Sequence, residues 1–75
     1  MKNEELIALC PKNIVLKDID GDDVPFEFGV IDNMVCYENN IYIKNFDRSN
    51  DLQENLVDCV GWLREKGLIY GKEVV

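Results

Sequence analysis

Residues 50–66 read NDLQENLVDCVGWLREK and are closed by Gly67. At about 100° per residue, Leu52, Leu56, Cys59, Val60 and Leu63 fall in one arc roughly 100° wide, the pattern of an amphipathic helix. Both ends are marked. Ser49 and Asn50 are good N-cap residues, and Gln53 follows Asn50 at the spacing of a capping box. Asp51 and Glu54 suit the positive end of the helix dipole; Arg64 and Lys66 suit the negative end. Gly67 can take the left-handed conformation that terminates a helix. A second arc holds Asp51, Glu54, Asp58 and Glu65 on the opposite flank, with Trp62 at its edge.

Upstream of this helix stand short β-prone runs separated by turn residues. Residues 14–19 are rich in β-branched side chains. Asp20-Gly21 is a hairpin signal, and residues 24–30 return with Val24, Phe26, Phe28 and Val30 alternating onto one face. Val15 and Ile19 have the parity to meet Val24 and Phe26 across the pair, in either of the common turn registers. Pro25 has no N–H to give a ladder, so the strand is an edge, or only beginning, near it. Asp32-Asn33 and Asn39-Asn40 mark two further turns, which frame strands at residues 34–38 and 41–45. A two-residue loop at Asn39-Asn40 sets Tyr37 opposite Tyr42 and Cys36 opposite Ile43.

At the start of the chain, residues 3–9 form a short helix capped by Asn3 and ended by Pro11. Residues 68–70 and 73–75 are extended in character, and one of them can add an edge strand. The order predicts a single small α+β domain over residues 1–75. It is an antiparallel meander of about four strands, with a long C-terminal helix and a short N-terminal helix packed on one face. The expected core is Val15, Ile19, Phe26, Phe28, Cys36, Ile43, Leu56, Cys59 and Leu63. The last helix running into LREKGLIYGKEVV resembles in outline the end of a winged-helix domain. Such a domain needs two helices before this point, where strands stand instead.

Net charge is −7, and its placement matters more than its size. Between Lys17 and Lys44 there is no base, while Asp18, Asp20, Asp22, Asp23, Glu27, Asp32 and Glu38 are all acidic. The remainder of the chain is balanced. A phosphate-binding surface needs clustered Lys and Arg, so direct nucleic-acid or anionic-membrane binding is not expected. The acidic start MKNEEL lacks a signal-peptide pattern, and no apolar run spans a bilayer, which points to a cytoplasmic protein. Cys10, Cys36 and Cys59 have no paired spacing and there is no histidine, so three reduced, packed thiols are expected rather than a disulfide or a zinc site.

The run DIDGDD from Asp18 to Asp23 resembles a calcium loop only in its acids. Its glycine comes fourth instead of sixth, and Gly29 stands where the twelfth-position glutamate belongs. No metal or cofactor is expected. The commonest general base is absent, no thiol has an obvious activating partner, and the glycines form no phosphate loop, so the chain is not read as an enzyme. The expected function is a small acidic binding protein that occupies a basic surface of a protein partner, such as a nucleic-acid-binding protein. By size and charge it is analogous to phage or mobile-element inhibitors that mimic nucleic-acid charge. The contact residues expected are Asp18, Asp20, Asp22, Asp23 and Glu27 on the hairpin, with Asp51, Glu54, Asp58 and Trp62 on the helix flank. The alternative is an assembly module that forms a homodimer or larger homo-oligomer through a sheet edge or the Trp62 flank.

Overall fold

The computed structural model describes residues 2–69. The elements follow in the order α1 (Asn3–Leu9), β1 (Asn13–Lys17), β2 (Asp23–Ile31), β3 (Met34–Glu38), β4 (Ile43–Phe46) and α2 (Leu52–Glu65). The strands form one antiparallel sheet in chain order. α2 lies over β3 and β4, and α1 packs against α2. The result is the expected α+β meander with both helices on one face.

The core is built where the apolar stripe of α2 meets that face. Leu56, Cys59, Val60 and Leu63 from the helix pack with Val35, Tyr37 and Phe46, and Ile14 and Phe26 extend the cluster across the sheet. Leu6 and Cys10 close it from α1 and its exit. Tyr37 is fully buried, and its hydroxyl donates to the Pro11 carbonyl at 2.7 Å, which satisfies its one polar group.

Register decides which residues reach this core, and here several expectations are corrected. The first hairpin does not turn on Asp20-Gly21 alone. Gly21 N–H donates to the Asp18 carbonyl and Asp18 N–H to the Asp22 carbonyl, both at 3.0 Å, with Gly21 at φ 82°. This is a three-residue connection ending in a left-handed glycine bulge. It pairs Ile14 with Phe26 and Leu16 with Val24, one residue away from the two-residue register. A one-residue slip inverts a strand, so Val15 is 53% exposed and Ile19 101%. The Asp32-Asn33 turn is as expected, with Asp32 at φ 53° and Ile31 opposite Met34.

The last hairpin is longer than expected. Asn39 Oδ1 accepts the amides of Ile41 and Tyr42 at 2.8 and 2.7 Å, so residues 39–42 form the connection. Tyr37 therefore faces Lys44, Cys36 faces Asn45 and Glu38 faces Ile43. Tyr37 shares its side with Phe28 and turns inward. Cys36 lies on the opposite side of the sheet, buried but outside the core cluster, and Ile43 is exposed there. Phe28 is half-buried against the core margin. Pro25 sits beyond the last β2–β3 pair, so its missing N–H costs no ladder bond, and Asn39 Nδ2 donates to its carbonyl at 2.9 Å.

The helix ends also differ in detail. Asp51, not Ser49 or Asn50, caps α2 by accepting the Gln53 amide at 2.9 Å. Lys2, not Asn3, is the cap position of α1, and its amide donates to Glu5 Oε1. Gly67 ends α2 as expected at φ 70°, with Leu68 N–H to the Leu63 carbonyl and Gly67 N–H to the Arg64 carbonyl. Leu68 and Ile69 then pack on the core margin and are not strand. The expected extension at residue 70 and at residues 73–75 lies outside the described residues.

Candidate functional site

The β1–β2 hairpin tip presents the acids with unequal availability. Asp18 is half-buried, and its Oδ1 accepts the amides of Asp20 and Asp22, both at 2.9 Å. It builds the turn. Asp23 pairs with Lys17 Nζ at 2.5 Å across the strand pair. Asp20 and Asp22 are exposed and enter neither ion pair found among the described residues. Between Asp18 and Asp20, Ile19 projects fully into solvent. An apolar side chain framed by carboxylates at a hairpin tip is a surface feature that the run DIDGDD did not disclose, because the expected register buried it.

The helix acids stand at the other end of the molecule. Asp51 is committed as the α2 cap, and Asp58 lies 3.7 Å from Arg48. Glu54 is exposed in the first turn. This end is tied to the β2–β3 turn: Asn33 Nδ2 donates to the Asn50 carbonyl, and Asn55 Nδ2 to the Asn33 carbonyl. The hairpin tip instead neighbours the C-terminal end of α2, where Leu16, Lys17, Trp62 and Lys66 line one cavity. The hairpin and helix acids therefore do not merge into one surface.

Trp62 is half-buried rather than an open anchor. Its ring lies 6.0 Å from Tyr37 and 5.5 Å from Phe46, and Lys44 Nζ stands over both the Phe46 and Trp62 rings. Glu27 is exposed on the sheet face that the helices leave open, directly opposite Glu38.

Asn55 was missed by pattern reasoning. It is fully buried, although at 100° per residue it falls about 40° outside the apolar arc of α2. Its Oδ1 accepts the amides of Arg48 and Ser49, and its Nδ2 donates to the carbonyls of Asn33 and Ser49. One side chain thus ties the β4–α2 connection and the β2–β3 turn to the helix.

The thiols are free and buried. Cys36 is pushed up to about 11 by burial, then by its 3.2 Å hydrogen bond to Glu38 and by that carboxylate's charge. Cys59 is also pushed up, first by its hydrogen bond with Cys10 and then by burial, while the same contact favours the Cys10 thiolate. Cys10 Sγ also bonds the Leu6 carbonyl. Burial is likewise the first cause that raises Tyr37. At Cys36 and Cys59 this environment keeps the proton on sulfur, the reverse of what an activated nucleophile needs.

The carboxylates of Asp18, Asp20 and Asp22 come within 4.8 Å of one another. Exposed acids gather in this way without an ion, and Asp18 already serves two amides. Among the described residues, no helix is long and apolar enough to cross a membrane. No protein-family model, curated protein or solved structure matches the chain.

Proposed function

We propose that this chain is a small non-catalytic binding protein whose β1–β2 hairpin occupies a basic surface of a protein partner. The observation that carries this reading is the hairpin tip itself. Asp20 and Asp22 are exposed and outside the ion pairs, and they share the tip with Ile19, which is fully exposed between Asp18 and Asp20. An apolar residue beside exposed acids supplies a contact that excludes water while the acids steer the approach. Glu27 extends the same charge along the open sheet face. Mimicry of nucleic-acid charge, as an inhibitor of a nucleic-acid-binding protein, is one form of this function. The helix acids Asp51 and Asp58 take a lesser part, because one is a cap and the other is paired.

The test is a partner isolated by pull-down from a lysate and then measured against wild type and the Asp20→Asn/Asp22→Asn double variant across a salt series. Association with wild type is expected to slow steeply as salt rises, and the double variant is expected to associate slowly at every salt concentration. Equal association rates for the two proteins would overturn the reading.

A second reading has its own observation. Val15, Ile31 and Ile43 are each more than half exposed on the sheet face opposite the helices. A homodimer through that face would cover them. It predicts a sedimentation mass that rises with protein concentration and is insensitive to the hairpin substitutions.

A further inference from the structure

A second candidate site lies where α2 stops short of roofing the sheet. α2 covers β3 and β4 but not β1 or β2, so among the described residues the core-facing side of the first hairpin is open toward its tip. Leu16, Val24, Phe26 and Tyr42 form the apolar floor of a cavity there of about 340 Å³, with the Phe26 and Tyr42 rings 6.4 Å apart. A neighbouring cavity of about 470 Å³ shares Leu16, Lys17 and Lys44 with the first and adds Trp62 and Lys66. The two are lobes of one groove.

The charge of this groove is opposite to that of the protein. In a chain of net charge −7 with 8 bases, Lys44 and Lys66, distant in sequence, both line it, while Lys17 borders it from β1 with its ammonium on the opposite face of the sheet. Asp18, the one carboxylate lining it among the described residues, is turned to the amides of Asp20 and Asp22. Lys17 is held by Asp23. Lys44 and Lys66 have no carboxylate partner among the described residues, and Lys44 Nζ is held over the Phe46 and Trp62 rings at the junction of the lobes.

We propose that this groove binds a small organic carboxylate with an apolar body, such as a medium-chain acid. The body lies on the Leu16–Phe26–Tyr42 floor and the carboxylate meets Lys44 and Lys66. The volume lies in the range of small-molecule sites. A peptide segment fits the chemistry less well. It would bring a row of backbone amides onto a floor of Leu16, Val24 and Phe26 whose one polar group is the Tyr42 hydroxyl, and each group left unpaired is costly to desolvate. An acid with one charged end carries no such penalty.

Trp62 is the only tryptophan and lines the groove, so its fluorescence reports occupancy in the full-length protein. Decanoate, decanol and decyltrimethylammonium are titrated below their micelle thresholds, followed by a short acidic peptide with apolar residues. Decanoate is expected to give a saturable one-to-one shift, with decanol at least about ten-fold weaker and the cation weaker still. Lys44→Gln is expected to weaken decanoate about ten-fold without changing decanol, and Lys44→Arg to restore binding. Thermal melts confirm that the variants are folded. Decanoate no tighter than decanol, or unaffected by Lys44→Gln in a folded variant, overturns the proposal. Saturation by the peptide but not by decanoate overturns it in favour of a protein ligand.

Discussion

Glu27 stands directly opposite Glu38 across the β2–β3 pair, on the face of the sheet that α1 and α2 leave open. Like charges in that position oppose sheet pairing. Glu27→Gln is expected to raise stability by ~0.2–1 kcal/mol at low salt, with the gain fading as salt screens the pair. Urea unfolding midpoints at two salt concentrations check this. A midpoint lowered at both would show that the two carboxylates do not repel in the folded state.

Leu56 is fully buried at the centre of the helix–sheet contact. Leu56→Ala is expected to cost ~2–5 kcal/mol, a large share of the stability of so small a domain. Val57, its exposed neighbour, serves as the control, and Val57→Ala should change the thermal midpoint little. Similar midpoints for the two variants would contradict the assignment of the buried face.

Asn55 joins three segments through four hydrogen bonds. Asn55→Asp keeps the acceptor for the Arg48 and Ser49 amides but sets a carboxylate against the carbonyls of Asn33 and Ser49. Asn55→Leu keeps volume and loses both roles. Each is expected to cost ~2–4 kcal/mol, since buried polar groups on the other side are left unpaired. Thermal melts of both variants measure this, and a melt of Asn55→Leu equal to wild type would remove the role given to this residue.

The buried thiol of Cys36 makes stability fall in alkali. Its folded value of about 11 lies above the ordinary 9.0, so the folded protein holds the proton more tightly than the unfolded chain. The contribution is complete below pH 9.0 and is lost as pH rises toward about 11. Cys59 and Tyr37 are shifted in the same direction and add to the loss. Unfolding midpoints at about pH 8 and about pH 10.5 should differ less in Cys36→Ala than in wild type. An equal drop in both proteins would place the titration elsewhere.

Much of the architecture was legible from periodicity and turn chemistry. The apolar arc of α2 and Gly67 fixed the helix, and the Val24, Phe26, Phe28 alternation fixed a face of β2. The face of β1 was misread because Asp-Gly suits both a two-residue turn and the last part of a three-residue bulge. Those alternatives differ by one residue and exchange Ile14 and Leu16 for Val15 and Ile19. At β3, Val35, Cys36 and Tyr37 are all fully buried, so alternation gave no preference, and Tyr37 was placed by a hydroxyl partner, Pro11, distant in sequence. The acidic tip was visible as a charge run. Which acids are spent on local structure was not, because an Asx turn, a cap and a cross-strand pair depend on the folded geometry. The meeting of Lys44 and Lys66 at one groove has no local signal at all.

The claim that the hairpin tip is the basic-partner surface is tested most directly by backbone-amide chemical shifts of the labelled full-length protein titrated with an oligolysine peptide. Saturable changes are expected, concentrated at residues 19–23 and at Glu27 and abolished at about 0.5 M salt, where the Debye length is ~4 Å. Changes centred on Glu54 and Asp58 with the hairpin unmoved would contradict it.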